Sequence, residues 1–126
     1  MPRTIVSAES LPKPSPYFSH ATKAGGLVFV SGTAPYSPET GKLVGGTIQE
    51  QTAQALRNIG AILAAAGSSL DKAVSATVIL ADEDDFAGMN EEWLKWFPVD
   101  PPARQGAKLP VRVPGLKISI AVIAEA

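Results

Sequence analysis

The stretch Leu27-Val28-Phe29-Val30 is apolar at every position. A strand with one solvated face alternates apolar and polar side chains, whereas an unbroken apolar run needs cover on both faces. Val78-Ile79-Leu80 makes the same demand. A chain of 126 residues has room for about one hydrophobic core. The two helices its remaining sequence supports can cover only one face of a sheet. The other face therefore calls for a second copy of the chain, and sites at subunit boundaries are expected.

The first helix is predicted from Ile48 to Ala66. Thr47 and Glu50 have capping-box spacing, which satisfies two N–H groups left over at a helix start. Ile48, Ala55, Leu56, Ile59, Ile62, Leu63 and Ala66 recur at helical steps as one apolar stripe, and Gly67 suits a left-handed C-terminal cap. A second helix is predicted from Asp84 or Asp85, with Phe86, Met89, Trp93 and Trp96/Phe97 on one face and Pro98 as its stop. The run Asp82-Glu83-Asp84-Asp85 has the composition of a divalent-metal cluster, but reads better as an acidic helix start favoured by the macrodipole. Strands are expected at Thr4–Val6, Tyr17–Lys23, Leu27–Ser31, Ala73–Leu80, Arg104–Val111 and Leu116–Ala124, with Ala24-Gly25-Gly26 as a hairpin loop. This order points to one domain spanning residues 1–126. Its fold class is α+β, a two-layer sandwich with both helices on one face of a mixed sheet.

Composition narrows the chemistry. Apolar residues at 45% and charged residues at 18% fit a folded domain. Eleven basic and 12 acidic side chains give a net charge of −1, without the basic excess of a duplex binder, so no nucleic-acid partner is expected. The chain has no cysteine, which excludes disulfides, thiolate nucleophiles and Cys-type metal sites. His20 is the only imidazole, so no His-rich metal site is expected, and a lone histidine in a strand reads as a surface or packing residue. No long apolar run or signal-peptide pattern is present, so the expectation is a cytoplasmic protein without a membrane partner. Familiar nucleophile-elbow, P-loop and zinc-protease motifs are missing. An enzyme on this chain must use arginine, hydroxyls, amides, backbone N–H groups and a few carboxylates.

Four local patterns stand out: Ser15-Pro16-Tyr17 before a strand, Val30-Ser31-Gly32 ending one, Met89-Asn90-Glu91 in the second helix, and Pro101-Pro102-Ala103-Arg104 entering a strand. With Pro38-Glu39-Thr40-Gly41-Lys42-Leu43-Val44, and Gln51-Thr52, Ala55-Leu56, Asn58 and Ala66-Gly67 in the first helix, they resemble the RidA (YjgF/YER057c/UK114) family across nearly the whole chain. Pro102-Ala103-Arg104 matches the family's P-A-R signature. The resemblance implies a chorismate-mutase-like fold, assembled as a homotrimer whose sheets form a central barrel, with clefts between subunits. It also implies hydrolysis of reactive enamine or imine intermediates to a 2-oxo acid and ammonia, without a cofactor. The implied ligand is a small carboxylated imine, enamine or 2-oxo acid.

By the same resemblance, Arg104 grips the substrate carboxylate, as a planar guanidinium does bidentately. Tyr17, Ser31, Gly32 and Asn90 line the cleft, where hydroxyl, amide and backbone groups bind substrate or orient water. Family members commonly end in a V-E-I-E-like strand whose first glutamate directs the attacking water. Here the segment is Ile118-Ser119-Ile120-Ala121, which puts Ser119 in that catalytic position. Gly106 stands two residues after the signature arginine, where several deaminases carry cysteine or threonine. The alternatives are a pathway enzyme catalysing tautomerisation, condensation or cyclisation, and a non-catalytic ligand-binding module using the same cleft. An endoribonuclease ranks last, for want of a histidine pair and a basic excess.

Overall fold

The computed structural model describes residues 2–126. Thr47 caps α1 (Ile48–Ala65) as expected: its Oγ1 accepts from Glu50 N–H, and the Glu50 carboxylate reaches back to the Thr47 N–H. At the other end Gly67, with φ +81°, donates to the Ala64 carbonyl while Ser68 N–H donates to Leu63. These two bonds are those of a Schellman cap. Lys23 adds a cation there, with Nζ 2.9 Å from the Ala66 carbonyl oxygen. The apolar stripe of α1 is buried throughout.

Six strands form one sheet: β1 (Thr4–Val6), β2 (Ala21–Ala24), β3 (Leu27–Thr33), β4 (Ala73–Leu80), β5 (Ala103–Lys108) and β6 (Ile118–Glu125). The spatial order is β1-β2-β3-β6-β4-β5, antiparallel except for the parallel pair β4–β5. A parallel pair needs a crossover connection, and α2 (Phe86–Trp96) supplies it. Among the described residues, no helix is long and apolar enough to cross a membrane. The acidic run forms a short 3-10 turn before α2, in which the Asp82 carboxylate accepts from Asp84 N–H.

Four strand limits differ from expectation, three of them for a local reason. The segment from Tyr17 to His20 is not strand: Pro12, Pro14 and Pro16 offer no N–H to a ladder, and Ser15 Oγ takes the Tyr17 N–H into a turn. β5 ends at Lys108, two residues before Pro110. β6 begins only at Ile118, after Gly115 has turned the chain at φ +82°. β3, conversely, runs past Ser31 to Thr33, carrying a bulge at Ser31-Gly32.

Both helices pack on one face of the sheet. Val28, Val30, Ala76, Val78, Ile120 and Val122 point into that core and are buried. The alternate residues Ser75, Thr77, Ile79, Ser119, Ala121 and Ile123 form the opposite face and are half-buried, while Phe29 is 40% exposed. The all-apolar strand is thus half covered by its own chain.

Candidate functional site

A bulge inserts an extra residue in one strand and re-aims the side chains around it. In β3, Val30 pairs with Val122 and Thr33 with Ile120, so the β3 side has one residue more than β6. Ser31 fixes this irregularity: its N–H donates to the His20 carbonyl at 3.0 Å and its Oγ to the Ser19 carbonyl at 2.5 Å. The hydroxyl proton is therefore engaged, and Ser31 meets a ligand only through its oxygen lone pairs. Gly32 comes so close to β6 that a Cβ there would lie 3.1 Å from Ser119 Oγ.

These residues open onto a cavity of about 680 Å³ that runs from Ile79 and Ser119 on the open side of the sheet to Asn58 and Ile62 of α1. Ser31, Gly32, Ser119, His20 and Asn58 supply its polar groups, and Leu11, Phe18, Ile79, Leu109, Val111 and Leu116 much of its apolar wall. Two buried amides of α1 shape the rim. Asn58 Nδ2 donates to the carbonyls of Ala34 and Tyr36. Gln51 Nε2 donates to those of Val44 and Gly115, while its Oε1 accepts from Lys117 N–H. Ser119 Oγ has no hydrogen-bond partner among the described residues. Tyr17, 92% exposed, stands on an adjoining hollow bordered by Phe29 and Ser31.

Arg104 lies on the other side. It pairs with buried Ala76 of β4 and so points to the helix face, whereas Ser119 pairs with Ile79 and points to the open face. The guanidinium sits over the rings of Trp93 and Phe86, 5.2 and 5.7 Å from their centroids. Such rings hold a cation without neutralising it. One guanidinium N–H approaches Met89 Sδ at 3.5 Å, and no carboxylate among the described residues pairs with Arg104. Partial burial lowers its pKa from the ordinary guanidinium value, but a guanidinium stays charged. The result is an unneutralised, planar cation beside a hollow of about 610 Å³ lined by Phe86, Met89 and Gly106. Gly106 runs close to β4: a Cβ there would sit 3.3 Å from the Val78 carbonyl oxygen.

The expected site residues fall into two groups. Tyr17, Ser31, Gly32 and Ser119 share the open side of the sheet; Arg104 and Gly106 share the helix side near its edge. Asn90, half-buried on α2, lines none of these cavities. The sequence reading passed over Phe86 and Trp93 as holders of the guanidinium, although their spacing had placed them on one face of α2. It also passed over the clamps of Gln51 and Asn58, whose signal was two amides beside an apolar stripe. Among the described residues, no group of three or more His, Cys, Asp or Glu side chains is arranged to hold a metal ion. The acidic turn uses its groups otherwise, Glu83 pairing with Lys108 at 3.2 Å.

Fold and site together define a small α+β domain with an unpaired, ring-braced arginine on one sheet face and a hydroxyl-bearing cavity reached from the other. A family model described as Endoribonuclease L-PSP matches residues 8–126. Reactive Intermediate Deaminase A, chloroplastic, of Arabidopsis thaliana is 42% identical over 125 residues, covering 97% of this chain and 65% of that protein. The 2-iminobutanoate/2-iminopropanoate deaminase of Mus musculus is 34% identical, covering 97% of this chain and 90% of that one. The crystal structure of RidA from an Antarctic Psychrobacter superposes with a TM-score of 0.89 at 32% identity, covering 98% and 99% of the two chains. The chain belongs to the RidA (YjgF/YER057c/UK114) family.

Proposed function

We propose that this protein is a cofactor-independent deaminase of 2-imino acids, working as a homotrimer whose sheets enclose a central barrel. The observation that carries the reading is Arg104: a guanidinium braced by two rings, unpaired, and separated by the sheet from Tyr17, Ser31, Gly32 and Ser119. One chain cannot bring these groups onto one small ligand. A neighbouring copy can, and the exposed side of Phe29 and the half-buried row around it supply the apolar area for such packing. The site is then a cleft with Arg104 from one subunit and the Ser31–Ser119 cavity from the next.

In that cleft Arg104 binds the carboxylate bidentately. The iminium carbon is already electrophilic, so holding it against a water molecule removes much of the entropic barrier. Water adds to the carbon, a proton moves to nitrogen, and collapse of the carbinolamine expels ammonia and leaves the 2-oxo acid. Ser119 and the Tyr17 hydroxyl are the side chains placed to orient the water. Neither is a strong base at neutral pH, so turnover is slow. The relatives named for deamination support this reaction class.

The test is a coupled assay for ammonia from freshly generated 2-iminobutyrate. Release above the uncatalysed rate, lost in Arg104→Ala, supports the deaminase. Ser119 favours a second reading, a ligand-binding module that kept the carboxylate grip. Tight binding of 2-oxobutyrate with no acceleration of ammonia release establishes that reading instead.

A further inference from the structure

His20 is the chain's only histidine, and the chemistry above makes no use of it. Its ring is engaged at both nitrogens. Ala8 N–H donates to Nδ1 at 3.0 Å, and Nε2 lies 2.9 Å from the Pro12 carbonyl oxygen. A backbone N–H only donates and a carbonyl only accepts, so Nδ1 is bare and Nε2 carries the proton. Only the Nε2–H tautomer makes both bonds at once.

These bonds span a loop. Val6 of β1 pairs with Ala21 of β2, so residues 7–20 leave the sheet and return to the same point, as in an Ω-loop. Ala8 and Leu11 pack into the core. Among the described residues, the ring of His20 is the only hydrogen-bonded tie from the outgoing arm, Ala8–Pro12, to the returning arm. The returning arm carries Tyr17 and the Ser19 carbonyl that holds Ser31. The outgoing arm supplies Leu11 and Pro12 to the wall of the 680 Å³ cavity, which Lys13 and His20 also line.

We propose that His20 is a positioning residue which, as the neutral Nε2–H tautomer, locks the 7–20 loop as a wall of the ligand cavity and makes that lock sensitive to protonation. A proton on Nδ1 removes the acceptor for Ala8 N–H and sets two donors against each other. The outgoing arm is released, and ligand binding in the cavity weakens as pH falls. The titratable groups that share the cavity wall with His20 are Lys13 of the loop and Tyr36 across the cavity, and Glu9 follows Ala8 in the loop. β3 and α1 present Ser31, Asn58 and Ile62 to the cavity, none of which titrates. No carboxylate among the described residues pairs with the imidazole to hold it charged. The effect on ligand rests on the proposed reading of this cavity as half of the substrate cleft; the lock itself does not.

The experiment compares the wild type, His20→Asn and His20→Ala at about pH 8 and about pH 5, the limits of the range in which histidine changes charge. Two quantities are read: hydrogen exchange at the Ala8 amide, and affinity for 2-oxobutyrate. Asparagine keeps an acceptor where Nδ1 stands but has no proton to gain. The wild type should lose Ala8 protection and bind about three- to tenfold more weakly at the lower pH, the worth of one hydrogen bond. His20→Asn should be protected and nearly flat with pH, and His20→Ala unprotected at both. Equal Ala8 protection in the wild type at the two pH values, each taken relative to the intrinsic exchange rate at that pH, overturns the lock, and needs no variant to fold. A protected Ala8 in His20→Ala overturns it as well. If Ala8 responds but affinity does not, the loop has no part in binding and the positioning role is wrong. If 2-oxobutyrate fails to bind the wild type at the higher pH, the cleft reading fails, and Ala8 exchange alone decides the lock.

Discussion

On the helix-covered face of the sheet, Val28, Val30, Val78, Ile120 and Val122 are buried within a single chain; on the other face Phe29, Ile79, Ala121 and Ile123 are left half-buried or exposed. Both rows are apolar enough for a core, yet only one has a partner within the chain. The same division separates the chemistry. Arg104 stands on the finished face, its cation braced by Phe86 and Trp93. Ser119 and the Ser31-Gly32 bulge stand on the unfinished one, beside a cavity whose lining carries Lys13 but no carboxylate. The stable face supplies a fixed anchor, and the other supplies a surface whose function needs a second copy.

The largest effect should come from giving the unfinished face the group it lacks. General-base assistance is worth about a hundred- to ten-thousandfold in rate. Ser119→Glu should accelerate single-turnover hydrolysis of 2-iminobutyrate toward that range, less whatever is lost to a raised carboxyl pKa in a partly buried site. A wild type already that fast would show that Tyr17 or a backbone carbonyl directs the water.

Next in size is the stability contrast between faces. Leu56, fully buried under α1, should cost about 2–5 kcal/mol when changed to Ala, through lost burial and the cavity left behind. Thermal unfolding should show this at every protein concentration. Phe29→Glu should instead act on assembly, lowering the sedimenting mass while the dissociated chain keeps its circular dichroism. If the two variants behave alike, the faces do not differ in the way described.

Arg104→Ala should weaken 2-oxobutyrate binding about ten- to a hundredfold, from the roughly 1.5–3 kcal/mol of a charged hydrogen bond. Arg104→Lys should recover little, because an ammonium neither stacks on two rings nor presents a fork. Calorimetric titration of both variants checks this. The smallest effect expected is at the cap of α1, where Thr47→Ala should cost about 1 kcal/mol in denaturant unfolding and leave ligand affinity unchanged.

What could be read from the sequence divides along similar lines. α1 was legible to within a residue because its determinants are local: the Thr47–Glu50 box, the stripe and Gly67. The open face was legible in outline, since Leu27–Val30 has no polar position to offer solvent. The bulge at Ser31-Gly32 was not, because the extra residue is defined only against β6, far along the chain. The side of the sheet taken by each site residue was also hidden. It follows from the pairing of Arg104 with Ala76 and of Ser119 with Ile79, and a register shift of one residue would reverse it. Family resemblance gathered Arg104 and Ser119 into one cleft; only the register shows that a single chain keeps them apart.

That separation yields the most direct measurement. Arg104→Ala removes the anchor, and Gly32→Val drives a side chain toward Ser119 and blocks the other cavity. Each variant alone should bind 2-oxobutyrate poorly. Unfolded together in equal amounts and refolded, the two should form mixed assemblies in which an intact arginine faces an intact cavity. In a ring of three with head-to-tail contacts, random mixing restores about a quarter of the clefts. Calorimetry should then find about that fraction of sites at wild-type affinity. If mixing restores no sites while the mixed assemblies form, both halves of the site belong to one chain and the account is wrong.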